Sequence, residues 1–534
     1  MKKIFYFVAL SYCSLSWAQS ELVFVYFKDK PNKTSFYSNP QTELNQKSLE
    51  RREKFNINLV DEDAPIEHQY ITNIENLGYE IKASSKWLNG VAIEIEPENF
   101  STITNLQFVE KIESFVKNRN ANNRVLKKNK FPEPSKKIAD FNYGNSLVQI
   151  EQIKLRELHS LGYTGKGISI AIMDTEFPTV NTGVAFQRVR ENNQIKGTYN
   201  FTNKTSDVYT SPNNYTHGTH CFGIIGGYIE NQFVGSAPDA DFYLYTTENG
   251  AVEIPHEELY WIEAAEQADR VGVDIISTSL GYRDFDDARY DYNYDDMDGE
   301  TTFIARGAKI AADKGILLVI SAGNEGNNSQ YNKIVSPADQ PNVFTIGSVN
   351  SSGNTSSFSS FGPNANQHPK PDAAAMGTNT YYPDVRNNIS RGNGTSYSTP
   401  LAAGGIASLL QAIPNTHPQE IMNLLRSTSS LYPNYNRQIG YGILNFYSTL
   451  TTLKAENNMI KDDFKIYPNP VKTEFRIMGT SSSIKSIEIF DSLGRKIKEF
   501  ASQESYQIPE LIAGKYFIKI NTDNGTSVQS VLKL

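Results

Sequence analysis

The spacing of apolar and polar positions changes character twice along the chain, and the changes outline three folded stretches. From residue 20 to 116, short apolar runs alternate with amphipathic ones. Leu22 to Phe27 predicts a strand and Glu67 to Leu77 a helix. Tyr79 to Glu96 predicts two strand segments around the turn pair Asn89-Gly90. Glu98 to Leu106 reads as a second short helix and Val109 to Phe115 as a strand, giving a small α+β unit. From about 142 to 453 the strands become apolar or β-branched throughout: Ile168 to Met173, Phe242 to Tyr245, Asp274 to Ser277, Ile316 to Ile320 and Val343 to Val349. Helical stretches such as Glu257 to Ala268 and Thr301 to Asp313 separate several of them. Strands without alternation, spaced by helices, predict an α/β domain with a parallel sheet covered by helices on both faces. At 460–534, Phe464 to Tyr467, Glu474 to Met478, Ser486 to Phe490, Lys496 to Phe500, Lys515 to Ile520 and Ser527 to Lys533 predict an all-β sandwich domain.

The connecting and terminal segments add to this picture. Residues 117–137 carry eight Lys or Arg, one acid (Glu133) and two prolines (Pro132, Pro134), and with them 117–141 differs in kind from its neighbours. They read as an exposed linker, either a plain connector or one that is cut. At 1–18, Lys2 and Lys3 precede the apolar run Ile4 to Leu15 and the small-residue stretch ending at Ala18. This is a secretory signal pattern, with an apolar run short for a membrane anchor. No later run is long enough for a transmembrane segment. Cys13 leaves with the signal, so Cys221 has no internal partner and the exported fold must rest on core burial. The balance of 51 basic against 59 acidic residues argues against a nucleic-acid partner.

Three segments carry candidate chemistry. Gly167 to Asp174 is a buried strand ending in a carboxylate, where α/β folds collect their functional groups; an aspartate there is also a common helix N-cap. His217-Gly218-Thr219-His220-Cys221 opens a helical pattern with His217 at its start. His217 and His220 are three apart without an intervening glutamate, which fits a helical zinc pair poorly. Gly394-Thr395-Ser396 leads into an apolar helix, with Pro400 expected in its first turn and Ser396 at its positive end. Cys221 reads as a buried structural thiol.

Together these segments resemble the subtilisin-like serine peptidases over roughly residues 142–453. The order Asp, His, Ser matches, as do Ser277-Thr278-Ser279-Leu280-Gly281, Ser321-Ala322-Gly323-Asn324-Glu325-Gly326, Phe358-Ser359-Ser360-Phe361-Gly362, Lys370-Pro371-Asp372 and Gly440-Tyr441-Gly442. The resemblance implies a triad of Asp174, His217 and Ser396, with Asn324 as the oxyanion-hole amide. It also implies that Ser279, Leu280 and Gly281, with Ala322 and Gly323, line the substrate backbone. No cofactor is implied for the chemistry. The chain departs from the family pattern at Thr175-Glu176 after the aspartate, and at Tyr397 and Ser398 after the serine. None of these removes a catalytic atom; Glu176 is placed to alter substrate choice.

The acidic stretch 284–300 reads as a solvated loop or as a structural calcium site, with Asp295, Asp296 and Asp298 as candidate ligands; its spacing does not match an EF-hand. Residues 19–116 resemble the inhibitory propeptides of subtilisin-like enzymes. The tail resembles type IX secretion sorting domains through Ile466-Tyr467-Pro468-Asn469-Pro470, Ile489-Phe490-Asp491, Leu493-Gly494-Arg495, Lys515-Tyr516-Phe517 and Val531-Leu532-Lys533-Leu534. The expectation is a secreted or surface-exposed serine endopeptidase, exported through the outer membrane of a Gram-negative bacterium. Its expected partners are protein substrates, its own propeptide and the type IX secretion machinery. The competing expectation is an inactive binding protein on the same scaffold.

Overall fold

The computed structural model describes residues 19–117, 141–457, 464–478, 484–491, 494–522 and 525–534. The expected signal peptide and residues 118–140 of the expected linker lie outside the described residues. The chain divides into two units, Met1–Phe446 and Tyr447–Leu534.

The first unit begins with a four-stranded antiparallel sheet: β1 (Glu21–Phe27), β2 (Ala83–Ser85), β3 (Gly90–Ile95) and β4 (Val109–Ser114), ordered β2-β3-β1-β4. Its helices include α1 (Gln46–Phe55), α2 (His68–Glu75) and α3 (Phe100–Thr104). The sequence of β1 does not alternate, and the structure supplies the reason. Val23, Val25 and Phe27 pack with Ile74 and Ile103 under α2 and α3. Leu22, Phe24 and Tyr26 point the other way, into the core of the α/β domain. A sheet with both faces covered needs apolar residues on both.

That α/β domain is built on seven parallel strands: β5 (Ser169–Asp174), β6 (Ile195–Asn200), β7 (Asp241–Thr246), β8 (Ile275–Thr278), β9 (Leu317–Ser321), β10 (Phe344–Val349) and β11 (Ala373–Met376). Their order is β11-β10-β9-β8-β5-β7-β6, so the winding reverses beside β5. Helices α4 (His217–Gly226), α5 (His256–Arg270), α6 (Phe303–Asp313) and α7 (Thr395–Ala412) are its main partners here. In a doubly wound sheet the crevice at the carboxyl ends beside the reversal is the natural site position.

The small sheet docks on α5 and α6. Phe115 stacks on Phe303 at 3.8 Å between ring centroids. Glu266 of α5 accepts from the Ser85 hydroxyl (2.6 Å) and the main-chain N–H groups of Lys86 and Trp87, and Glu263 accepts from that of Ser84 (3.0 Å). Glutamates on α5 thereby satisfy the edge strand β2, which would otherwise present open main-chain groups. Helix α1, which the apolar pattern does not predict, brings Arg51 and Arg52 onto the buried Asp269 of α5.

The acidic stretch differs from the solvated loop expected of it. Phe285, Tyr290, Tyr292 and Met297 are buried in the same core as Leu22 and Phe24, and the Tyr290 hydroxyl accepts from the Leu22 N–H at 3.2 Å. Its carboxylates mostly close local turns: Asp298 accepts from the N–H groups of Glu300 and Thr301 and from the Thr301 hydroxyl, and Asp296 accepts from Asn293. Asp295, Asp296 and Asp298 are not among the clusters whose ligand atoms converge in the described residues.

In the second unit, strands Lys465–Tyr467, Glu474–Met478 and Tyr506–Gln507 form one sheet. Strands Ile484–Phe490, Lys496–Ala501, Gly514–Thr522 and Gly525–Lys533 form another. Phe475, Tyr506, Ile487, Ile489, Ile518 and Ile520 from the two sheets share one core, as expected of a sandwich. Among the described residues no helix is long and apolar enough to cross a membrane.

Candidate active site

Asp174 closes β5, the strand at the winding reversal, and is fully buried. Its Oδ1 accepts from the Thr175 N–H (2.8 Å) and is paired with His217 Nδ1 at 2.6 Å. His217 is the first residue of α4, and Gly218 lets that helix start come so close. A Cβ on Gly218 would stand 2.6 Å from the Thr175 carbonyl oxygen and 2.8 Å from that of Glu176. Burial disfavours the imidazolium, but the Asp174 carboxylate and the Cys221 sulfur together hold the His217 pKa well above the ordinary histidine value.

Ser396 is the second residue of α7. Its hydroxyl donates to the Ser279 carbonyl at 3.2 Å, and the Ser279 hydroxyl donates back to the Ser396 carbonyl at 3.0 Å. That second bond exists because Pro400 lies four residues further along the helix and has no N–H to offer the Ser396 carbonyl. Pro400 is therefore inside α7, not in its first turn as expected. The freed carbonyl also accepts from Cys221 Sγ at 3.4 Å, and Cys221 Sγ lies 3.9 Å from His217 Nε2. The buried thiol thus lies between α4 and α7, against both His217 and the Ser396 carbonyl.

Asn324 follows β9. Its Oδ1 accepts from the Thr395 N–H (2.9 Å) and hydroxyl (3.1 Å). A main-chain N–H is only a donor, so the accepting atom must be the amide oxygen, and the amide NH₂ is left to point at the cleft. That nitrogen stands 3.7 Å from where a Cβ on Gly394 would be. The Ser396 N–H stands 3.6 Å from the same point, so the two donors lie on one side of Gly394. Ala322 is buried at the end of β9, and Gly323 turns the chain with φ 99°.

Ser279, Leu280 and Gly281 run on from β8. Leu280 and Gly281 are partly to fully exposed, and among the described residues the Leu280 carbonyl accepts from Ser321 Oγ (3.3 Å). The structure therefore brings together Asp174, His217, Ser396, Asn324 and the 279–281 edge from the carboxyl ends of β5, β8 and β9 and the starts of α4 and α7. Cys221 is the buried structural thiol expected of it, while the contacts of the supporting residues were not legible from spacing. Thr175 and Cys221 hold the site from behind, and Tyr397 stacks on Tyr382 (5.1 Å, 2°), which stacks on His220 (4.2 Å). The second histidine of the His-Gly-Thr-His run is thus an aromatic packing partner.

A buried acid turned on its histidine, a serine at a helix start and an aimed amide, set at the mouth of a doubly wound sheet, form a constellation suited to acyl transfer. The model of the subtilase family matches residues 165–442, more than half of the sequence, and the chain belongs to that family of serine peptidases. The peptidase S8 propeptide domain of Bacteroidota matches residues 22–132, and the secretion-system C-terminal sorting domain matches 465–533. The chain is 29% identical over 312 residues to serine protease AprX of Bacillus subtilis (strain 168), covering 53% of this chain and 66% of AprX, just under two thirds of that relative. It is 28% identical over 305 residues to subtilisin NAT of Bacillus subtilis subsp. natto, covering 55% and 69%. Among solved structures, that of MycP1 with the N-terminal propeptide removed aligns with a TM-score of 0.45 at 21% identity, covering 57% of this chain and 96% of that one.

Proposed function

We propose that this protein is the precursor of a secreted serine endopeptidase that cleaves proteins through an acyl-enzyme. Ser396 rotates from the Ser279 carbonyl toward His217 Nε2, gives up its proton and attacks the substrate carbonyl. Asp174 fixes the His217 tautomer and stabilises the imidazolium, which then protonates the leaving amine. The Asn324 amide and the Ser396 N–H take the charge that develops on the carbonyl oxygen. An extended substrate pairs with the open edge at 279–281. The observation that carries the reading is the buried Asp174–His217 pair at 2.6 Å beside an amide whose oxygen is tied back by Thr395.

In this reading residues 1–18 are a signal and 19–116 an inhibitory propeptide. Residues 117–141 are the linker that is cut, 142–453 the catalytic domain, and 460–534 the domain that directs export across an outer membrane. A fluorophosphonate probe tests the centre of it. The mature wild type is expected to be labelled on Ser396 and the Ser396→Ala protein not at all; an unlabelled wild type would support the inactive binding scaffold instead.

A further inference from the structure

Between the propeptide and the catalytic domain lies a cavity of about 540 Å³. Glu43, Ser84 and Lys86 wall it on the propeptide side, and residues of β6, β7 and α5 on the other. Its floor is aromatic. Tyr199 meets Phe201 edge-on with ring centroids 4.7 Å apart, Phe201 meets Tyr245 at 5.5 Å, and Tyr243 lies 6.1 Å from Tyr245. The charged groups of the wall are answered within the protein. Lys204 pairs with Glu263, Lys196 with Asp241 at 3.2 Å, and Glu43 with both Lys86 (3.5 Å) and Arg270 (3.6 Å). Glu266 takes its three donors from Ser85, Lys86 and Trp87. The neutral polar groups are left over. Tyr245 is only 2% exposed, yet its hydroxyl makes no hydrogen bond among the described residues. Nor do the hydroxyls of Tyr199 and Tyr243 or the side-chain amide of Gln267, which line the same space. Polar groups this far from bulk water are ordinarily paired.

We propose that this cavity binds a neutral sugar of disaccharide size, and that the bound sugar helps to hold the propeptide on the enzyme. The volume lies within the range of about 300–1,000 Å³ usual for small-molecule sites. A sugar ring has an apolar C–H face and a rim of hydroxyls that donate and accept. The tyrosines answer it in kind, each with an apolar ring and a hydroxyl that does both. An ionic ligand fits less well, because every cation and carboxylate in the wall already has its partner and a ligand charge would have to break one of those pairs. An apolar ligand would seal the Tyr245 hydroxyl and the Gln267 amide away from any partner. The coupling follows from where the walls come from. Ser84 and Lys86 close the site only while the propeptide is docked, so the sugar binds the precursor more tightly than the mature enzyme. By reciprocity it strengthens docking by the same factor. The cavity shares no wall residue with the catalytic cleft, so sugar binding there is independent of the peptidase chemistry.

The test is titration calorimetry on the full-length Ser396→Ala precursor, which keeps its propeptide under the peptidase reading, with maltose, cellobiose and N,N′-diacetylchitobiose as probes. At least one is expected to give saturable heat with one site per chain. Saturation separates a site from the general exclusion of sugars from protein surfaces. Tyr245→Phe, which removes one hydroxyl and keeps the ring, is expected to weaken binding about tenfold, and Gln267→Ala to weaken it in the same direction. Mature wild-type enzyme is expected to bind the same sugar about tenfold more weakly than the precursor. Absence of saturable heat with all three sugars, or an affinity that neither substitution changes, would overturn the sugar site. Equal affinities in precursor and mature enzyme would overturn the coupling to the propeptide. Titration needs no catalysis, so a wild type that fluorophosphonate fails to label would sink the peptidase reading alone.

Discussion

Asp269 is the sharpest single test of how the N-terminal unit is held on the catalytic domain. Its fully buried carboxylate meets Arg51 Nη2, Arg52 Nη1 at 2.9 Å and Arg52 Nη2 at 2.8 Å. Burial opposes its charge, but the two guanidiniums hold its pKa below the ordinary carboxylate value. With Asp269→Ala, Arg52 keeps Asp63 at 2.7 Å. Arg51 keeps the carbonyls of Val273 and Lys314 and a 3.5 Å contact to the Ser48 hydroxyl, none of them a counter-charge. One buried cation is then left without a counter-charge, a defect that costs about 3–5 kcal/mol. At about 1.4 kcal/mol per tenfold, the propeptide is expected to bind about 10² to 4 × 10³ times more weakly. The assay is inhibition of mature enzyme by residues 19–117 supplied in trans, comparing wild-type and Asp269→Ala enzyme. Propeptide release removes both arginines and returns Asp269 to water, so turnover of small peptides by the variant is expected to change little. An inhibition constant within about threefold of wild type would mean that the network adds nothing to docking, and the argument from buried charge would fail.

Four further outcomes follow from the site. Ser396→Ala is expected to abolish casein hydrolysis while leaving the far-UV circular dichroism unchanged, and if the enzyme cuts its own linker the variant accumulates with 117–141 intact on a gel. Asn324→Ala is expected to lower kcat by about 10²–10³-fold with KM little changed, because its amide acts on charge that appears only in the transition state; normal kcat with raised KM would place Asn324 in substrate binding. Since His217 must be neutral to act as base and its pKa is raised, kcat/KM is expected to climb with pH to a half-maximum above the ordinary histidine value of about 6.5, and a half-maximum below it would contradict the Asp174 pairing. Asp298→Ala removes three turn hydrogen bonds, so denaturant melts are expected to show a loss of about 1–3 kcal/mol that calcium does not restore; rescue by calcium, or a calcium shift in the wild type lost in the variant, would reinstate the metal reading.

Much of this protein was legible before any coordinates. Apolar strands at 168–173, 242–245, 274–277, 316–320 and 343–349 could only be the buried strands of a parallel sheet, because exposure on either face would demand alternation. The site residues stood out because their chemistry needs particular atoms in short motifs that survive in one dimension. What escaped was whatever depends on partners distant in sequence. Helix α1, Gln-Lys-Ser-Leu-Glu-Arg-Arg-Glu-Lys-Phe, has no apolar stripe, since the face it buries is made of arginines answered by an aspartate more than 200 residues away. The acidic stretch reads as solvated for the same reason: its charges dominate the pattern, while its tyrosines find a core made in part by β1. Strands β6 and β11 went unread because Ile-Lys-Gly-Thr-Tyr-Asn and Ala-Ala-Ala-Met carry little strand signal of their own, and their place is set by the sheet edges they extend. Sequence alone determined five of the seven strands of the parallel sheet and the short motifs of the candidate site, because those are written in local pattern. Tertiary structure decided which buried charges meet and which donors reach the carbonyl that Pro400 leaves free, because each depends on distance in space between residues far apart along the chain.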